Sequence, residues 1–213
     1  MNIITHISSP CSESWVAWII FALIVLGIAN RSIRGSLLVA MRNSFSHAER
    51  VYGEYSQNIF SVLVAWIFRI GVWALGVYLL LHNDTFIGIN YLSILGITGC
   101  VFLLQHLCIL TVGWVFLHRT KLLNGIGHLE VFRNFMSAIL LLLILIFTHL
   151  QLPGLYAICF GVIFAVFSIL ILVKGFQMFY SGLLSVFYIL LYFTSLELLP
   201  MSGMLIWTQH ILQ

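Results

Sequence analysis

Residues 58–81 read NIFSVLVAWIFRIGVWALGVYLLL. At about 1.5 Å per helical residue the stretch reaches about 36 Å, against about 30 Å of bilayer hydrocarbon. Aliphatic and aromatic side chains surround it on every side, so no face is left for water. Such a helix belongs in the core of a large protein or across a membrane. Its one formal charge is Arg69, near the middle. A guanidinium at that depth costs about 2.5–3.5 kcal/mol on insertion scales, so it calls for a partner.

The rest of the 213-residue chain decides between the two settings. Hydrophobic residues make up 62% of it and charged residues 7%. The mean hydropathy is +1.12. A soluble domain is about half apolar and a quarter charged. The composition excludes a water-soluble globule, a disordered chain and a nucleic-acid-binding domain. It predicts an all-α, polytopic membrane protein of about six transmembrane helices, forming one integral membrane domain over residues 1–213. The expected spans are 10–29, 58–81, 90–117, 132–150, 155–173 and 176–199. Pro200 interrupts the last, and residues 200–213 form an interfacial or kinked tail.

The first apolar run is not expected to be a signal peptide. Met1 to Trp15 contains no Lys or Arg, whereas Arg31 and Arg34 follow the run. Arg42 and Arg50 share the first loop with them. Arg119, Lys121 and Arg133 lie in or beside the third loop, and Lys174 lies in the fifth. Eight of the nine basic residues thus fall in odd-numbered loops. The positive-inside rule puts those loops in the cytoplasm and both termini on the periplasmic side of a bacterial inner membrane. The net charge of +3 reads as orientation, not as a nucleic-acid patch.

The first loop carries Leu38, Met41, Phe45, Ala48, Tyr52, Tyr55 and Ile59 at alternating spacings of three and four. That spacing predicts a cytoplasmic amphipathic helix. Its apolar face suits the headgroup layer, docking of a protein partner, or simple continuation into the second span.

Four polar residues are expected inside the membrane: Arg69, Gln105, His106 and Glu197. With the fourth span beginning at Phe132, Glu197 is the one acid within a predicted span and the expected partner of Arg69. Trp66 and Trp73 are placed to flank the guanidinium with aromatic faces. The functional alternative is that Arg69 binds an anionic ligand or lines a polar path. Gln105 and His106 share the third span with Gly96, Gly99, Cys100 and Gly113, a pattern that brings helices close and lets polar groups bond across. A proton relay or a ligand site is the alternative for that pair.

No catalytic motif is found. His128-Leu129-Glu130 is not H-E-x-x-H, and Asp84 is the single aspartate. His106 has no obvious mate for haem, and Cys11, Cys100, Cys108 and Cys159 form no CxxC pair. No cofactor and no metal site are expected. The expected partners are the lipid bilayer and other membrane protein subunits.

The six-span layout, the entry into the second span through Gly53-Glu54-Tyr55-Ser56, and the ending Leu191-Tyr192-Phe193-Thr194-Ser195-Leu196-Glu197-Leu198-Leu199-Pro200 resemble domain-of-unknown-function family 4271. This is a group of small inner-membrane proteins of Gram-negative bacteria. The resemblance covers most of the chain, with Leu-Glu-Leu-Leu-Pro its specific part. It implies that Glu197 and Pro200 occupy family-type positions and implies no activity.

Three functions fit these features. One is a non-catalytic subunit of an envelope complex of the secretion or assembly type. Another is a small transporter or channel component using Arg69, Gln105, His106 and Glu197. The third is an intramembrane enzyme or haem protein.

Overall fold

The computed structural model describes residues 14–30, 33, 35, 59–82, 90–116, 119–150 and 153–179. Among the described residues there are five long α-helices: α1 (Ser14–Ala29), α2 (Ile59–His82), α3 (Tyr91–Phe116), α4 (Arg119–Leu150) and α5 (Pro153–Phe179). Phe60–Leu81, Tyr91–Cys108 and Leu129–His149 are long and apolar enough to cross a membrane. Trp15–Ala29 and Leu155–Leu170 are shorter apolar helical stretches. The architecture is all-α and consistent with a helical membrane protein. The amphipathic helix expected through Leu38, Met41, Phe45, Tyr52 and Tyr55 lies outside the described residues, as do the tail and nearly all of the sixth span.

α2 is the axis of the bundle. Phe68 lies against Gly27 and Leu23 against Gly71, so α1 runs antiparallel to α2. The Asn30 side-chain amide donates to the Ser61 carbonyl at 2.8 Å, tying the end of α1 to the first turn of α2. On α3, Tyr91 meets Tyr78, and His106 meets Trp66, again antiparallel. Arg69 meets Glu130 and Gly76 meets Leu140, so α4 runs parallel to α2. Finally, Trp73 packs among Phe160, Phe164 and Phe167 of α5.

Four helices around one explain why α2 is apolar on every side. Val72, Ala74 and Leu75 are fully enclosed. Within the spanning windows 67% of α2 is buried but only 22% of α3. Gly76 permits a close approach of α4 and α5 to α2. A Cβ there would lie 3.1 Å from Phe160, 3.3 Å from the Tyr156 hydroxyl and 3.4 Å from Leu140. The Tyr156 hydroxyl donates to the Gly76 carbonyl at 2.9 Å.

The outer surface is the apolar one. Trp18, Phe21 and Ile28 on α1, Phe60 and Ile67 on α2, Leu92, Leu103 and Trp114 on α3, and Ile158 and Val162 on α5 all point outward. A guanidinium pair inside and aliphatic side chains outside reverse the order of a water-soluble protein.

Three helix ends lie beyond the spans read from the sequence. α4 starts at Arg119, not Phe132, because Glu130 and Arg133 face inward and do not end the helix. α5 starts at Pro153, where proline's missing N–H costs nothing. It then continues through Lys174 and Gly175 to Phe179, where a loop was expected between 173 and 176. A single glycine costs a helix only about 1 kcal/mol, and no proline follows to stop it.

Candidate functional site

Polar residues of α4 form a stripe. Glu130, Arg133, Asn134 and Ser137 recur at i, i+3, i+4 and i+7, which is one helix face. That face points into the bundle: Arg133, Asn134 and Ser137 are all buried. The Ser137 hydroxyl donates back to the Arg133 carbonyl at 2.8 Å, so it is satisfied within its own helix.

Arg69 of α2 meets this stripe. Its Nη1 donates to Glu130 Oε2 at 2.6 Å, and the arginine side chain is completely enclosed. Arg133 Nη1 lies 3.9 Å from the other carboxylate oxygen, Oε1. His106 Nδ1, on α3, lies 3.8 Å from the same Oε1. One carboxylate therefore faces two guanidiniums and an imidazole drawn from three helices.

Aromatic rings wrap the guanidinium. The Arg69 Cζ lies 4.6 Å from the Trp66 ring centre and 5.2 Å from that of Phe102. Desolvated cation–π contacts of this kind contribute up to about 2 kcal/mol. Trp66 fills its expected place. Trp73 does not flank Arg69: its ring packs with Phe102, Phe160, Phe164 and Phe167. Helical side chains lean toward the N-terminus, which carries Arg69 toward Trp66 and away from Trp73.

Trp66 also meets His106 edge to face, with ring centres 4.9 Å apart. Gln105 is buried beside it on α3. The small residues of α3 divide between two faces. Gly99 turns to Ile70 of α2, whereas Gly96 and Cys100 face outward.

Arg69, His106 and Gln105 thus lie in or beside one buried polar cluster. The carboxylate on Arg69 Nη1 is Glu130, and Glu197 lies outside the described residues. Reading Glu130 and Arg133 as loop charges hid them. The signal that identifies them is the helical period of the polar stripe, which runs straight into an apolar span. Arg133 is consequently a buried cluster member and not an orienting loop charge. Among the described residues no three His, Cys, Asp or Glu side chains form a metal-binding group.

The cluster has a clear mechanical capacity. It pins α2, α3 and α4 at one level, and its arginines stay charged at any physiological pH. A family model with the description "Domain of unknown function (DUF4271)" matches residues 16–207. Comparison with curated proteins gave no match, and neither did comparison with solved structures.

Proposed function

The chain belongs to the DUF4271 family, and on that premise we propose that it is a non-catalytic, multi-pass subunit of an envelope assembly in the bacterial inner membrane. One observation carries the reading. Two outward faces hold small residues one helical turn apart: Gly96 and Cys100 on α3, and Ala157, Gly161 and Ala165 on α5. Among the described residues, a Cβ added at Gly96 or Gly161 would meet no atom within 4 Å beyond its own stretch of helix. Lipid tails gain nothing from such tracks, whereas helices from another chain pack closely on them.

The orientation keeps its support from the loop arginines. Antiparallel packing brings the end of α1, the starts of α2 and α4 and the ends of α3 and α5 to one end of the bundle. Arg119 and Lys121 belong to that end, with Lys174 near it, and Arg31, Arg34, Arg42 and Arg50 follow α1 there in sequence. This end is cytoplasmic on the positive-inside rule. Six spans, with both termini periplasmic, complete the proposed topology.

Affinity purification from native membranes in mild detergent tests the reading. Specific membrane proteins should co-purify with the wild type and be lost from Gly96→Leu and Gly161→Leu. Recovery of the bare chain from native membranes would sink it.

A second reading, a small transporter or channel component, draws on the convergence of Arg69, His106, Glu130 and Arg133 from three helices. Ion flux through proteoliposomes that is unchanged by Arg69→Gln removes it.

A further inference from the structure

The apolar stretches of the bundle are out of step. Arg69 is the tenth residue of Phe60–Leu81, yet it meets Glu130, the second of Leu129–His149. Gly76, the seventeenth, lies against Leu140, the twelfth. The apolar stretch of α4 is therefore shifted against that of α2 by five to eight residues, or about 8–12 Å along the axis. α3 keeps step with α2. It runs on for ten residues past His106, to Phe116, without a charged residue.

One end of the bundle is thus mixed. Phe60, Leu63 and Ile67 on α2 and Leu107, Leu110 and Trp114 on α3 stand exposed there, Phe60 to 71% and Trp114 to 82%. On α4 the same stretch begins Arg119-Thr120-Lys121 and includes Asn124 and His128. A hydrocarbon layer of about 30 Å fitted to α4 leaves the apolar ends of α2 and α3 outside it. Fitted to α2 and α3, it takes in the polar start of α4, which is costly for each such group. The apolar ends of α2 and α3 therefore call for a cover other than lipid.

The chain itself brings one. Residues 36–58 join α1 to α2 and lie outside the described residues. The two sides of this connection are fastened together, since the Asn30 side-chain amide donates to the Ser61 carbonyl. Ile33, just past the end of α1, is 1% exposed and belongs to the hydrophobic core. The chain thus turns back onto the bundle as soon as α1 ends. It has to arrive at Ile59, directly before Phe60. On the way it carries Leu38, Met41, Phe45, Ala48, Tyr52 and Tyr55 at alternating spacings of three and four.

We propose that residues 38–55 are a docked part of the bundle, with this apolar face laid on the exposed ends of α2 and α3. The contact removes two apolar surfaces from water at once. Arg42, Glu49, Arg50 and Glu54 fall on the other side of the same helical period and stay outside. The resting place of the segment is then this chain, not the headgroup layer and not another protein. The contact holds in either orientation of the bundle and does not depend on any partner subunit.

Photo-cross-linking of the full chain in native membranes tests the proposal. Benzoylphenylalanine replaces Leu63 or, separately, Trp114, both of them exposed. Illumination should join either position to residues 38–55 of the same chain, at the mass of the monomer, with the joined peptides identified by mass spectrometry. Met41→Asp together with Phe45→Asp should abolish these adducts and leave those of a control at Trp18 on α1 unchanged. Adducts to lipid alone, to a second copy or to another protein overturn the proposal. So do adducts to 38–55 that survive the two aspartates. Two probe positions on different helices keep the test decisive should one variant fail to fold.

Discussion

Arg69 and Glu130 stand 61 positions apart in the chain and meet at 2.6 Å, in an ion pair whose arginine is fully enclosed. Breaking a buried pair leaves the surviving charge without compensation, which costs about 3–5 kcal/mol. Glu130→Gln and Arg69→Gln should each destabilise the bundle on that scale. The double variant should lose much less than the sum of the two. Unfolding in detergent through a double-mutant cycle measures the coupling, and strict additivity would show that the two residues do not interact.

Trp73 is the largest ring in the centre and touches four phenylalanines on two helices. Trp73→Ala should cost about 3–5 kcal/mol, the range for removing a buried large aromatic. Trp73→Phe should cost roughly half as much. A thermal melt that places both within experimental error of wild type would contradict the packing described.

Glycines on the inner and outer faces should respond in opposite ways. At Gly71 a Cβ would lie 2.9 Å from Leu23 Cδ2, the flexible end of a side chain, so alanine is tolerated and valine is not. Gly71→Val should lose about 1–3 kcal/mol through overpacking and loosen α1. Gly96→Ala meets no other described side chain within 4 Å and should gain up to about 1 kcal/mol from helix propensity. Comparing their melting temperatures checks both signs at once.

Tyr156→Phe removes the hydroxyl that donates to the Gly76 carbonyl across α5 and α2. A neutral buried hydrogen bond contributes about 0.5–1.5 kcal/mol. The loss should fall in that range and be read most clearly as faster hydrogen exchange in α5. A larger loss would mean that the hydroxyl holds more than this single carbonyl.

Much of the helical layout was legible because apolar length is a direct physical requirement. The runs 58–81 and 90–117 match α2 and α3 to within a residue. Charge misled the reading where it was treated as a mark of water. Charge alone puts Glu130, Arg133 and Lys174 in loops or at their edges, yet all three lie within helices. Periodicity was the better guide, since Glu130, Arg133, Asn134 and Ser137 define a face that no loop would keep. The pairing itself could not be read, because it depends on which helices lie side by side. Sequence alone showed that Arg69 needs an acid and offered Glu197. Only the parallel packing of α2 against α4 brings Glu130 to its level.

The separation of Arg69 from Glu130 has a consequence in time. A ribosome adds about 5–20 residues per second. The 61 positions between the two residues therefore take roughly 3–12 s to synthesise. Throughout that interval α2 carries a cation whose described carboxylate does not yet exist. Biogenesis thus includes an interval in which the second helix already carries this cation and the fourth has not yet been made.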